Sequence, residues 1–442
     1  MIETKKIPPD GGYGWVIVCA SALSSFIVVP LIHCFGLIFK DTFVELGLSA
    51  TQGSLIINLN VAFGMIMGLV NGVLLKIYGC RKVALLAALL LTGGVVLTAY
   101  SKTFTHFVIA YGLITSLGMG MVQSANGLAI NMYFKAKRSY AMGLAVTITG
   151  FGPILIPQLI GFLMQHYTPS GVTLIFGGVC AHVFIGAVLL QPVERHMIID
   201  KTQPQDEQSE LLTEQTKTQT QEDKDPLFKR LLKTVAKTFD LDLFKDPIFV
   251  NIMMGMALAI FAELNFTVLT PFMLSDFGLD TSQIATFLST LGVADIIFRF
   301  FAPYIGNYFT KPPRLMYAYS LILLIVTRFT FLLSRNFYAL LVIALGLGIA
   351  KGIRKVYMQL VIPAHVPIEK LANASGMEMM MNGFCIIIGG PTLGVVRDVT
   401  GSYSLCIILM NCVTFTTILM WTIEAIIVKC RRKNKGSIEE AT

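Results

Sequence analysis

Long apolar stretches alternate with short polar turns along nearly the whole chain. Runs of membrane-spanning length, about 20 residues, fall at roughly 14–39, 53–76, 83–100, 107–133, 140–165 and 171–191. Six more fall at roughly 247–274, 281–306, 313–334, 338–362, 371–394 and 402–429. Each predicts a transmembrane helix, because a helix satisfies its own backbone polar groups where no water is present. Between the two sets lies the one long polar segment, about 192–246. Its middle, Lys201–Asp225, is rich in Gln, Thr, Glu and Asp and has too little apolar surface to build a core. Its end, Pro226–Phe239, puts Leu227, Phe228, Leu231, Leu232, Val235 and Phe239 on one helical face, with Lys229, Arg230, Lys233 and Lys237 largely off it. That pattern fits an amphipathic helix on the membrane surface or one packed beneath the helical body.

The expected fold class is therefore an all-α membrane protein with twelve transmembrane helices in two six-helix halves. The expected organisation is a short N-terminus (1–13), a first bundle (14–191), a linker with an amphipathic helix (192–246), a second bundle (247–429) and a tail (430–442). Lys and Arg set the orientation. Lys76, Arg81 and Lys82 lie between spans 2 and 3, Lys135, Lys137 and Arg138 between spans 4 and 5, Lys311 and Arg314 between spans 8 and 9, and Lys429 to Lys435 in the tail. The alternate turns carry few, so both termini and the linker are expected in the cytoplasm. Met1–Gly12 is polar and the first apolar run is long, which predicts a retained span and not a cleaved signal.

Composition agrees. Of 442 residues, 55% are hydrophobic and 14% charged, against about 25% charged in soluble domains. The net charge of +8 gathers at helix ends and does not indicate nucleic acid. Eight cysteines lie mostly within apolar runs with no CxxC pair, and six histidines are scattered without HExxH, GxSxG or a P-loop. No metal or cofactor is expected, and an enzyme or a non-transporting receptor is disfavoured.

The two sets echo each other. Gly150-Phe-Gly152-Pro153 in span 5 stands against Gly389-Gly390-Pro391 in span 11. Small residues recur every fourth place at Gly112, Ser116, Gly120 and Ser124, and at Ala344, Gly348 and Gly352. Such stripes permit close helix approach and equally serve plain packing.

Charge inside the spans is where chemistry is to be sought, because each ionised side chain there costs about 2.5–3.5 kcal/mol to insert. Asp295 and Arg299 lie at i and i+4 and share a helix face. They serve either as a lock between helices or as a functional pair, and the cations nearby favour the second. Span 10 carries Lys351, Arg354 and Lys355 at i, i+3 and i+4. Lys351 is central, whereas Lys355 also suits simple anchoring toward the cytoplasmic interface. A cavity with that imbalance attracts anions. His33 follows Pro30 in span 1 and suits either proton handling or a structural hydrogen bond. Glu263 and Asn265 in span 7 are further candidates for the same cavity, and Glu378 for a cap or gate.

Two motifs carry a family resemblance. Pro8-Pro9-Asp10-Gly11-Gly12-Tyr13-Gly14-Trp15 resembles the signature of the monocarboxylate transporters, a major-facilitator group. Tyr133-Phe134-x-x-Lys137-Arg138-x-x-Ala141-x-Gly143-Leu144-Ala145 resembles the second signature, with Ala136, Tyr140 and Ile148 as departures. The likeness covers about residues 8 to 430 apart from the central linker. It implies the major-facilitator fold, alternating access with a site near the midplane between the halves, and a plasma-membrane location. It matches Asp295 and Arg299 to the family's proton- and carboxylate-binding pair. His33 stands where a proton-linked Lys is usual, Lys351 where a Phe shapes the cavity, Lys355 at a nearby Ser position, and Asn382 at a Glu position. The sequence around Lys351–Met358 looks more like arthropod members than the lactate and pyruvate carriers.

These readings give a secondary carrier of small organic anions, expected to be proton-linked monocarboxylate symport. Substrate binding is expected at Arg299, Lys351, Lys355 and His33, and proton coupling at Asp295 and His33. The alternative is a proton-independent carrier of aromatic amino acids or related carboxylates, motivated by the missing span-1 Lys. The partners implied are the lipid bilayer, the anion and the proton. An immunoglobulin-type glycoprotein often accompanies family members, though nothing in this sequence points to it.

Overall fold

The computed structural model describes residues 6–48, 50–199, 237–400 and 403–439. Its helices are α1 (Tyr13–Val28), α2 (Leu31–Glu45), α3 (Ala50–Ile66), α4 (Gly68–Ala99), α5 (Phe104–Tyr133), α6 (Arg138–Met164) and α7 (Pro169–Leu189). They continue with α8 (Pro247–Asp276), α9 (Thr281–Phe309), α10 (Pro313–Leu333), α11 (Phe337–His365), α12 (Ile368–Thr400) and α13 (Tyr403–Glu439). Among the described residues, ten are long and apolar enough to cross a membrane, and α1 is a shorter apolar helix. The predicted amphipathic helix at Pro226–Phe239 lies almost wholly outside the described residues.

Local sequence explains the helix ends. Proline opens α7, α8 and α10, at the first position where its missing N–H is no loss. Asp280 and Gln283 form a reciprocal capping box at the start of α9. Asn336 caps α11 by accepting from the N–H groups of Tyr338 and Ala339.

Two expectations change. The first run is not one helix: it is interrupted at Val29–Pro30, where proline cannot donate a backbone hydrogen bond. The second run is interrupted at Met67, and the backbone leaves the helix again at Gly79, whose φ of 78° and ψ of 163° suit glycine. Gly79 is where the turn between spans 2 and 3 was expected. The fold is all-α as expected, and outside its helices Lys6–Ile7 (β1) pairs antiparallel with Ile198–Ile199 (β2). Two residues per strand are too few to leave an alternation in the sequence.

The small-residue stripes act as close contacts. On α5, Gly120 lies against the Gly64 carbonyl and Ser116 donates to the Asn60 carbonyl, joining α5 to α3. On α11, Gly348 and Gly352 lie against the backbone of α9 from Leu291 to Arg299. Gly152 packs on Phe26 and Pro30, and Gly389 on the Phe261 ring. The two signature motifs are also joined. Asp10 accepts from the N–H of Lys135 at 2.7 Å and of Lys137 at 3.1 Å, while Trp15 packs on Phe134.

The described end of the linker, Lys237–Asp246, ties several helices together. Asp240 bonds Lys76 of α4 at 2.5 Å and Asn373 of α12 at 2.6 Å, and Asp242 bonds Lys370. Asp246 caps α8 through the Ile248 N–H at 2.9 Å and bonds His365 of α11 at 2.8 Å. Partial burial opposes its charge, yet the hydrogen bonds from His365 and Ile248 hold its carboxyl below the usual range. A depressed carboxyl contributes stability above its unfolded pKa, near 3.9, and loses it as pH falls through the folded value. Asp246→Asn should therefore lower the melting temperature at pH 5.5 modestly, and the gap to wild type should close below about pH 4, as read by a thermal-unfolding series.

Candidate functional site

Helices α1, α5, α6, α8, α9 and α11 enclose a cavity of about 400 Å³. A second lobe of about 300 Å³ reaches toward α3 and α12. Glu263, Arg354, Lys355 and Gln359 line both.

Asp295 and Arg299 lie on the wall of the first lobe. One helical turn brings their side chains together on the face of α9 that meets α11 and α6. Arg299 Nε donates to Asp295 Oδ1 at 2.8 Å, and Nη2 to Oδ2 at 2.6 Å, so the pair is bidentate. Both side chains are largely buried, at 12% and 7% exposure. The third guanidinium nitrogen, Nη1, reaches the Val146 carbonyl of α6 at 3.3 Å. Arg299 therefore bridges a helix from each predicted set. Its seat on α6 depends on Gly150, where a Cβ would come within 2.6 Å of Nη1.

Behind the pair, α11 presses on α9. A Cβ at Gly352 would lie 2.5 Å from the Asp295 carbonyl oxygen and 3.0 Å from the Arg299 nitrogen. Those are backbone atoms and cannot swing aside. Gly352→Val should therefore push α11 off the Asp295–Arg299 turn at a cost of about 1–3 kcal/mol or more. A lower melting temperature, read by thermal unfolding, is the expected result.

A second network sits on α8, α10 and α11. Glu263 Oε2 accepts from Arg328 at 2.7 Å, and Oε1 lies 3.6 Å from Lys351 Nζ. Lys351 also reaches Thr267 Oγ1 at 3.4 Å. Arg328 is 1% exposed, lies over the Phe266 ring at 4.6 Å and reaches Thr414 at 3.3 Å. Glu378 accepts from Asn382 at 2.6 Å and lines the second lobe.

The structure thus brings Asp295, Arg299, Lys351 and Lys355 to one cavity, with Arg354 and Glu263 beside them. His33 lies in α2, and its side chain falls outside the described residues. Asn265 bonds the Phe261 carbonyl at 2.8 Å and is not among the lining residues, unlike the expectation for it. Arg328 was not anticipated from the sequence. Its signal was a single cation inside the apolar run Leu321–Leu333.

The end of the cavity near the Lys- and Arg-rich turns is tightly packed. Gly68 and Gly72 of α4 lie against the backbone of α12 at Gly376 and Ala372. Arg138 donates to the Pro363 carbonyl at 2.8 Å, and Asn307 bonds the Tyr140 hydroxyl.

Comparison with known proteins agrees with this architecture. The profile of the Major Facilitator Superfamily matches residues 14–390 and 249–437. Monocarboxylate transporter 4 of Gallus gallus is 24% identical over 422 residues, covering 93% of this chain and 82% of that protein. Monocarboxylate transporter 2 of Rattus norvegicus is 26% identical over 413 residues, covering 90% and 80%. Among solved structures, the proton:xylose symporter XylE bound to 6-bromo-6-deoxy-D-glucose superposes with a TM-score of 0.64 at 17% identity, covering 93% of this chain and 95% of that one. FucP in the outward conformation superposes at 0.62 and 15% identity, covering 92% and 98%.

Proposed function

The chain belongs to the major facilitator superfamily and is a secondary transporter, and from that premise we propose that it carries a small carboxylate together with a proton. The observation that carries this reading is the bidentate Asp295–Arg299 pair on the cavity wall, held against α6 from the other set of helices. With Asp295 ionised, two of the Arg299 donors are occupied. A proton on Asp295 removes its negative charge and frees Nε and Nη2 to hold an incoming carboxylate in the same two-pronged geometry. Proton and anion then enter as a neutral pair, which limits the cost of moving charge through the membrane. Lys351, Lys355 and Arg354 supply the positive field that draws the anion in.

Arg299 touches both α9 and α6, so its change of partner is felt across the seam along which the two sets of helices move. The tightly packed end then corresponds to the closed cytoplasmic gate, with both termini on that side and the protein in the plasma membrane. The relatives named monocarboxylate transporters support the carboxylate class. The test is uptake of labelled short carboxylates into proteoliposomes with and without an inward proton gradient. Accumulation should rise with the gradient and fall in Asp295→Asn. Uptake of an aromatic amino acid that ignores the gradient would favour facilitated diffusion instead.

A further inference from the structure

Charge around the cavity is not balanced, and the excess has an address. Among the described residues, four cations line the two lobes, Arg299, Lys351, Arg354 and Lys355, and a fifth, Arg328, stands behind Glu263. Three carboxylates stand against them: Asp295, Glu263 and Glu378. With all groups ionised the excess is two positive charges.

Each carboxylate already has its partners. Asp295 is held by both prongs of Arg299, and Glu263 by Arg328 with Lys351 alongside. Glu378 is bonded by Asn382. Arg354 and Lys355 are the two cavity cations that make no ion pair among the described residues. Arg354 is 4% exposed, its Nε has no hydrogen-bond partner, its Nη1 reaches the Met358 sulfur at 3.9 Å, and Tyr317 and the already paired Glu263 are its polar neighbours. A buried guanidinium with an open donor and no carboxylate of its own in contact gains from an anion that completes it.

A monoanion entering with one proton leaves the excess of two unchanged, because the two charges cancel. A dianion reduces it. Arg354 and Lys355 line both lobes, whereas Arg299 lines the first. Gly352, two and three residues before them, lies against the Arg299 backbone, which places the two anion-binding ends close along α11 and α9. Together the lobes are roomier than a three-carbon acid requires.

We infer that this cavity is built for a short dicarboxylate, one carboxylate on Arg299 and the second on Arg354 and Lys355. This rests on the carrier reading above and narrows its substrate class.

The experiment is competition by butanedioate and by its monoamide against uptake of a labelled monocarboxylate at neutral pH in proteoliposomes. The two probes match in size and differ by one charge. Butanedioate should compete at about tenfold lower concentration, the value of one further charge-assisted contact. Lys355→Gln should bring the two probes together by weakening butanedioate, and Lys355→Arg should restore the gap. If Lys355→Gln does not fold, Arg354→Lys serves in its place, since it keeps the charge and removes the fork. Thermal stabilisation of the purified protein by each probe gives the same ranking without transport. Equal competition by the two probes, or a gap that survives Lys355→Gln, would overturn the inference while leaving carboxylate transport standing. If no carboxylate is carried and none stabilises the protein, the carrier reading fails with it.

Discussion

Arg299→Lys keeps the positive charge and should still lose most carboxylate uptake. The guanidinium does three things at once: Nε and Nη2 hold both oxygens of Asp295, and Nη1 reaches the Val146 carbonyl. A lysine ammonium is a single point donor and cannot occupy two parallel contacts while reaching a third. Losing one charge-assisted hydrogen bond costs about 1.5–3 kcal/mol, which corresponds to roughly ten- to hundredfold in affinity. The effect should appear mainly as a raised KM for the carboxylate, measured with surface-normalised protein. Unchanged KM and maximal rate in Arg299→Lys would mean that the pair only locks helices.

Glu263→Gln should be the most damaging substitution for stability. Arg328 is 1% exposed, and Glu263 is its carboxylate partner at 2.7 Å. Removing one member of a buried pair leaves an uncompensated charge and costs about 3–5 kcal/mol. The aromatic face of Phe266, 4.6 Å away, offsets part of that cost. The expected result is a large fall in melting temperature and poor recovery of monodisperse protein. Glu263→Gln combined with Arg328→Met should regain most of the loss, because an apolar side chain of similar length needs no counter-charge. A double variant no better than Glu263→Gln would show that Glu263 matters chiefly through its other cationic neighbours, Lys351 and Arg354.

Helix periodicity and charge made much of this legible in the sequence. Apolar length placed the helices, because a membrane leaves the backbone few alternatives. The α9 pair was visible because its two members are four residues apart in an otherwise apolar run. The α11 cations were visible for the same reason, and the glycines at 348 and 352 marked the face that meets α9. What escaped notice depends on residues far apart in the chain. Arg328 finds Glu263 across 65 positions, and no local spacing announces that pairing. The tie between Asp10 and the Lys135–Lys137 turn is similarly remote, although each half lay in a motif already singled out. The break at Pro30 followed from chemistry. The break at Met67 lies between Gly64 and Gly68, which a run rich in helix-interior glycines does not single out.

Lumenal pH reports the central claim most directly. Vesicles carrying the purified protein and an entrapped pH dye receive an external monocarboxylate at equal starting pH. If Asp295 and Arg299 take up proton and anion together, the lumen acidifies in wild type and stays flat in Asp295→Asn. Carboxylate entering wild-type vesicles with no protein-dependent acidification would contradict the account.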